Sequence, residues 1–218
     1  ELSMYYLDMV KGRIYTYATD SLGRRAAQTV ICQILNVLVR IIAPILVFTA
    51  EEIWQYMPKD KKESSIRSVH LLSWPARNSV YAQDDLVKEN KDIGSRLKYI
   101  IDLIPLIGKA LEENRARGII GSSFDAQIIL LTNKKFYYTY LEGMEGDLPE
   151  IFKVSQVSVQ IEEGLSEEVV FRVQKAQGEK CVRCWNWCLT VGKNAQYPGI
   201  CQKCIRQIKS STIQSAQS

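Results

Sequence analysis

The chain has 218 residues, 46% of them hydrophobic and 24% charged, with six cysteines and a formal net charge of +4. That length and apolar content allow one good core or two modest ones with a small metal module attached, and they confine disorder to the ends. The longest apolar stretch, Val37 to Phe48, is broken by Arg40 and Pro44, so the sequence predicts a soluble protein with no membrane span.

The first predicted region, residues 1–57, is helical. Leu2, Tyr5, Tyr6, Met9 and Val10 recur at three- and four-residue steps. With neither an initiator Met nor a targeting segment ahead of that pattern, the opening reads as the C-terminal piece of something longer. Asp20-Ser21 supplies an N-cap for a second helix reaching Ile42, whose apolar stripe runs through Ala26, Val30, Leu35, Leu38, Val39 and Ile42 and holds Cys32 as a small core residue. Pro44 stops that helix. Thr49-Ala50-Glu51-Glu52 reads as a capping box opening a short helix that ends near Met57, the whole being a helix bundle without its earlier members.

Residues 58–83 form a connector, extended from Ser68 to Pro75. Its His70, the only histidine, has no partner of catalytic type nearby and reads as structural. Residues 84–175 read as a helix from Asp85 to Arg117, kinked at Pro105 and ended by Gly118, followed by strands at 124–131, 154–161 and 169–173 with a short helix at 134–141. The carboxylate pairs Asp84-Asp85 and Glu112-Glu113 read as solvated helix surface. No nucleotide-binding glycine loop and no nucleophile with a base occurs, so neither catalytic nor cofactor-binding residues are expected.

Residues 176–209 carry the strongest signal. Cys181-Val182-Arg183-Cys184 and Cys201-Gln202-Lys203-Cys204 are two C-x-x-C knuckles with sixteen residues between them. Such a pair presents four soft thiolates tetrahedrally to one Zn2+ at about 2.3 Å, which assigns Cys181, Cys184, Cys201 and Cys204 as ligands of one structural zinc. Six cysteines in a chain of this length do not suit a disulfide framework. Cys188, four residues after Cys184, is left over and reads as a free thiol, its other reading being a substitute for one of the ligands. Residues 172–218 contain eight Lys or Arg against Glu179 alone, whereas 1–171 are slightly acidic, so the basic charge sits on this module. A compact basic surface is the footprint of phosphate-backbone binding, and compensation of the zinc thiolates is its other source. Residues 210–218 are expected to form a disordered tail. The predicted class is therefore α+β multidomain: a partial helical bundle, a small α/β junction domain and a zinc-ribbon-like module.

The run from Leu2 to Tyr15, the segment Arg24 to Thr29, and Ala43-Pro44-Ile45-Leu46-Val47-Phe48-Thr49-Ala50-Glu51-Glu52-Ile53-Trp54 resemble the anticodon-binding helical domain of class I isoleucyl-tRNA synthetases. Ser68 to Leu71 with Trp74-Pro75, the junction from Arg115 to Ser123, and Glu179 to Trp185 resemble the bacterial-type C-terminal extension with its zinc module. The helical motifs alone would also fit a valyl or leucyl enzyme. The resemblance implies a cytoplasmic, monomeric enzyme that ligates isoleucine to tRNA(Ile) with ATP and Mg2+ and edits misloaded valine. Signatures of the HIGH and KMSKS type are absent from these residues, so the chain itself is expected to bind tRNA and not to charge it. Single-stranded RNA bases are read by aromatic stacking while Lys and Arg hold the backbone. Arg183, Trp185, Trp187, Lys193, Lys203 and Arg206 are the candidates for RNA contact, the tryptophans having a second reading as cover for the zinc. A stand-alone zinc ribbon that binds nucleic acid or protein is the rival reading of the whole chain.

Overall fold

The computed structural model describes residues 2–61, 63–76, 84–165 and 167–215. Parts of the expected connector (77–83) and tail (216–218) lie outside them, as do the side chains of Asp84 and Asp85. The chain divides into two compact units, one of residues 20–87 and one in which residues 1–19 join 88–218.

The 20–87 unit is built on α3 (Leu22–Ile42) and α4 (Val47–Tyr56). As the sequence predicts, Ser21 caps α3, its hydroxyl accepting from the Arg24 amide at 3.3 Å. Pro44 follows the last turn, where the Ile45 and Leu46 amides fold back onto the Ile42 carbonyl. The core gathers Val39, Ala43, Ala50, Trp54, Met57 and Val69, and the Trp54 indole donates to the Ile66 carbonyl. The expected capping box does not form. α4 starts two residues earlier, at Val47, so Thr49 is already inside the helix. Glu51 instead turns toward the 3-10 turn Val69–Leu71, accepting from Ser68 Oγ at 2.7 Å and the Val69 amide at 3.1 Å. Those residues thus form a helical turn where an extended strand was expected.

By length and composition alone, α3 is long and apolar enough to cross a membrane, a point at which the expectation of no span needs correction. Its side chains place it in a bundle: Val39 is fully buried against the Trp54 core, and Asn36 and Arg40 both donate to Glu63. Its apolar face is wider than this unit covers, leaving Leu22, Val37 and Ile41 exposed together with Val30 and Leu38 of the expected stripe.

The other unit centres on α5 (Asp84–Ala116), which continues through Pro105 and ends at Gly118, whose φ of +72° closes the helix C-terminus. Ile100, Leu103, Ile107 and Leu111, spaced at three and four residues, pack on a three-stranded sheet of order β2-β1-β3. The central strand β1 (Ala126–Thr132) is parallel to β2 (Gln156–Ile161), with Ile128 opposite Val157, and antiparallel to β3 (Val169–Lys175), with Ile128 opposite Val173. Between β1 and β2 the chain passes through α6 (Lys134–Phe136), a π-turn at Tyr137–Leu141, and α7 (Leu148–Phe152). The sequence did not predict α7, since its burial of Leu148, Ile151 and Phe152 is set by a core contributed from elsewhere in the chain. The N-terminal helices α1 (Leu7–Met9) and α2 (Lys11–Thr16) belong to this unit, where Met9 packs on the sheet core; they were expected in the first bundle. A second small sheet, β4 (Glu179–Lys180) with β5 (Trp187–Cys188), and α8 (Gln202–Ser215) complete it. α8 carries regular structure into what was expected to be a disordered tail.

Replacing Ile128, fully buried in β1, by Ala should destabilise the sheet-bearing unit by about 2–5 kcal/mol, whereas the same change at exposed Phe48 should cost less than about 0.5 kcal/mol. Urea unfolding followed by circular dichroism measures both.

Candidate metal centre and nucleic-acid interface

The first knuckle is a backbone turn: the Cys181 amide donates to the Asn186 carbonyl and the Trp185 amide to the Cys181 carbonyl, both at 2.9 Å. The second lies at the N-terminus of α8, where the helix amides face the sulfurs and favour thiolate. Four Sγ atoms, of Cys181, Cys184, Cys201 and Cys204, lie within 4.8 Å of one another, and all but Cys184 are buried. The Cys184–Cys201 sulfur separation is 3.8 Å. A tetrahedron with bonds of about 2.3 Å has edges close to this, so the set fits a four-thiolate metal site. The Cys201 amide also donates to Cys181 Sγ at 3.3 Å, an outer contact typical of such centres.

The sulfurs also hydrogen-bond one another. Thiol hydrogen bonds from Cys184, Cys188 and Cys204 pull Cys201 far below the usual thiol range. Hydrogen bonds from Cys188 and Cys201 push Cys184 up, and those from Cys184 and Cys201 push Cys204 up. Four thiolates this close would repel one another, and a central cation is what would permit them.

This module is bound to the rest of its unit by polar contacts. Glu150 on α7 accepts from Arg13 Nε at 2.8 Å, the Tyr17 hydroxyl at 3.1 Å and Lys203 Nζ at 2.8 Å, while Lys203 also lies over the Tyr17 ring. Arg183 donates to the Thr16 carbonyl, and the Ala18 amide donates to Gln207 on α8. On the opposite flank Trp187 Nε1 donates to Asp125 at 2.8 Å, and the Trp187 amide to Ser155 Oγ at 2.7 Å. Burial alone would raise the Asp125 carboxyl; the bonds from Trp187 and Ser122 outweigh it and lower it. Gly178, at φ +90°, is required just before β4, since a Cβ there would meet the Cys188 carbonyl at 2.4 Å.

Between α1–α2, the β1 approach, α7 and the first knuckle lies a groove of about 550 Å3. Met9, Phe124 and Val154 line its apolar part, Lys11 and Lys153 flank Asp8, and Trp185 and Asn186 form the knuckle side. Trp185 is 65% exposed and has a left-handed backbone, φ +65°, an unusual state for a bulky residue that the Cys181–Trp185 turn enforces. Asn186 Oδ1 is buried beside it with no hydrogen-bond partner, a standing cost that a donor would relieve.

The six residues singled out from the sequence for RNA contact therefore fall into two groups. Arg183, Lys203 and Trp187 are engaged inside the unit, while Trp185, Lys193 and Arg206 are exposed. Lys11, Lys153 and Asn186 were not singled out; only folding brings the first two, from distant segments, to the groove. His70 is exposed and Cys32 half-buried.

The family model described as the anticodon-binding domain of tRNA ligase matches residues 1–130. Among similar curated proteins, the isoleucine–tRNA ligase of Syntrophotalea carbinolica is 37% identical over 211 residues, 94% of this chain and 22% of its own length. That of Natranaerobius thermophilus is 36% identical over 224 residues, 97% of this chain and 23% of its own. That of Caldicellulosiruptor saccharolyticus is 38% identical over 209 residues, 96% and 22% respectively. The chain thus spans less than a quarter of the length of these relatives, and the alignments run well past the segment that the family model covers.

Glu150 gives the docking of the metal module a pH dependence. Burial would raise its carboxyl, but the bonds from Lys203 and Arg13 hold it below the ordinary value of 4.5. A depressed folded-state value stabilises fully above that ordinary value and is lost as the pH falls through the folded one. Glu150→Gln should lower stability at pH 7 and flatten the acid limb of a stability–pH profile measured by thermal unfolding; an unchanged limb would remove Glu150 from this role.

Proposed function

The chain belongs to the family of anticodon-binding domains of tRNA ligases, and on that premise we propose that it is the tRNA-binding region of an isoleucine–tRNA ligase. The whole enzyme joins isoleucine to tRNA(Ile) using ATP in the cytoplasm and edits misloaded valine. Residues 1–218 serve it by holding the anticodon side of the tRNA. The observation that carries this reading is Trp185, a large exposed ring at the rim of a groove whose lining mixes apolar side chains with Lys11, Lys153 and the acid Asp8 between them.

In this reading an unstacked base lies on the Trp185 ring, and stacking of that kind is worth about 1–3 kcal/mol. Lys193 and Arg206 meet phosphates on the same module, with Lys11 at the groove edge. Arg183, Lys203 and Trp187 act one step back: they hold the module against Thr16, Glu150 and Asp125, so that ring and cations keep one geometry. The metal is zinc, held by Cys181, Cys184, Cys201 and Cys204. It supplies no catalysis here; it clamps two knuckles whose own core is too small to keep them folded.

Two measurements test the proposal. At fixed salt the chain should bind tRNA with an isoleucine anticodon better than unrelated tRNA or duplex DNA, and Trp185→Ala should weaken that binding by about 5- to 150-fold. Equal binding to duplex DNA would sink the tRNA assignment. Zinc analysis should find one ion per chain, and chelation should unfold residues 176–215, since structural zinc contributes about 10–16 kcal/mol in comparable small modules. Retention of the module's fold after complete chelation would contradict the clamp.

A further inference from the structure

A fifth cysteine packs against the cluster. Cys188 ends β5 and is half-buried against Cys181, Val191, Cys201 and Cys204, as Cys184 is. Its position is held by the backbone. It pairs with Glu179 across the small sheet, and Gly178 lets the chain pass within contact of its carbonyl. Among the described residues its sulfur has one hydrogen-bond acceptor outside the sulfur cluster, the Asn186 carbonyl at 3.7 Å, a long and weak contact.

The four knuckle cysteines are not equivalent. Cys181, Cys201 and Cys204 are buried, and Cys184 is half-buried, the least covered of the four. An exposed thiolate is the one that alkylating agents and oxidants reach first. Cys188 follows it four residues later, in β5, past the left-handed Trp185 and the Asn186 whose carbonyl closes the knuckle.

We propose that Cys188 is a reserve ligand, which takes the metal when Cys184 leaves it. The inference rests on the zinc reading given above. In the exchange the metal–sulfur bond to Cys184 breaks and one to Cys188 forms. The Cys188 thiol proton passes to the departing sulfur or, where that sulfur is modified, to solvent. No electron is transferred, and the ion keeps four thiolates. The knuckle carrying Trp185 then survives chemical loss of its most exposed ligand.

Cobalt(II) loading of the full chain tests this, because sulfur-to-cobalt charge-transfer absorption reports the number of thiolates. Wild type and Cys188→Ser should both show one four-thiolate ion. Cys184→Ser should still show four thiolates, whereas Cys184→Ser/Cys188→Ser should show three and bind the ion more than about 100-fold more weakly, beyond what loss of an outer-shell partner costs. Identical spectra and affinities for Cys184→Ser and the double variant would overturn the proposal. Wild type that binds no ion would instead overturn the zinc reading beneath it. If the serine variants do not fold, wild type and Cys188→Ser alkylated once at Cys184 can be compared by native mass spectrometry: only the former should keep its metal, and equal loss from both would refute the exchange.

Discussion

Four sulfurs within 4.8 Å of one another cannot all be thiolates unless a cation sits among them, and the C-terminal module is organised around that constraint. Its elements are a hairpin of two short strands, a turn and a helix, and its buried apolar set beyond the cysteines is Ala176, Val191 and Ile205, with half-buried Ile200. A core of that size does not hold a chain segment by burial. The gathered sulfurs join the two knuckles instead, and Trp185 is presented on the turn that the first of them closes.

The second constraint is the mixed role of the positive charge. From composition the module is a basic surface, and each of its Lys and Arg residues is a candidate for a phosphate. Glu150 divides them. By accepting from Arg13, Tyr17 and Lys203 it converts one of those cations into a tether between α7 and α8, and Arg183 becomes another through the Thr16 carbonyl. Lys193, Arg206 and Lys209 face solvent, while Lys11 and Lys153, from segments far away in sequence, line the groove with Trp185 and pair with Asp8. A fixed geometry of few groups suits recognition of a folded RNA better than a diffuse field does.

Local signals in the chain translated directly into structure. Ser21 caps α3, Pro44 follows its end, Gly118 closes α5, and the three strands lie within a few residues of where β-branched residues and turn signals put them. Misreadings arose where a distant partner competes with a local pattern. Thr49-x-x-Glu52 has the spacing of a capping box, but Glu51 next to it finds the Ser68 hydroxyl and the Val69 amide, and the helix begins earlier. Residues 2–19 share the periodicity of the bundle that follows, yet Met9 packs on the sheet core and Arg13 bonds Glu150, so they join the other unit. α7 is five residues long, too short for any periodicity to reveal.

Sequence alone determined which four cysteines gather in one cluster, the mix of helix with a small sheet, and the family, because C-x-x-C spacing, cap residues and apolar periods are short-range properties that each segment carries with it. It could not determine which cations are free, which tryptophan is a surface and which a peg, or that a groove exists. Those depend on Thr16, Asp125, Glu150 and Ser155, residues between 32 and 167 positions from their partners in the module. Whether Lys203 meets a phosphate or a carboxylate is settled by which charge the folded chain brings within 3 Å of it, and only the tertiary structure makes that choice.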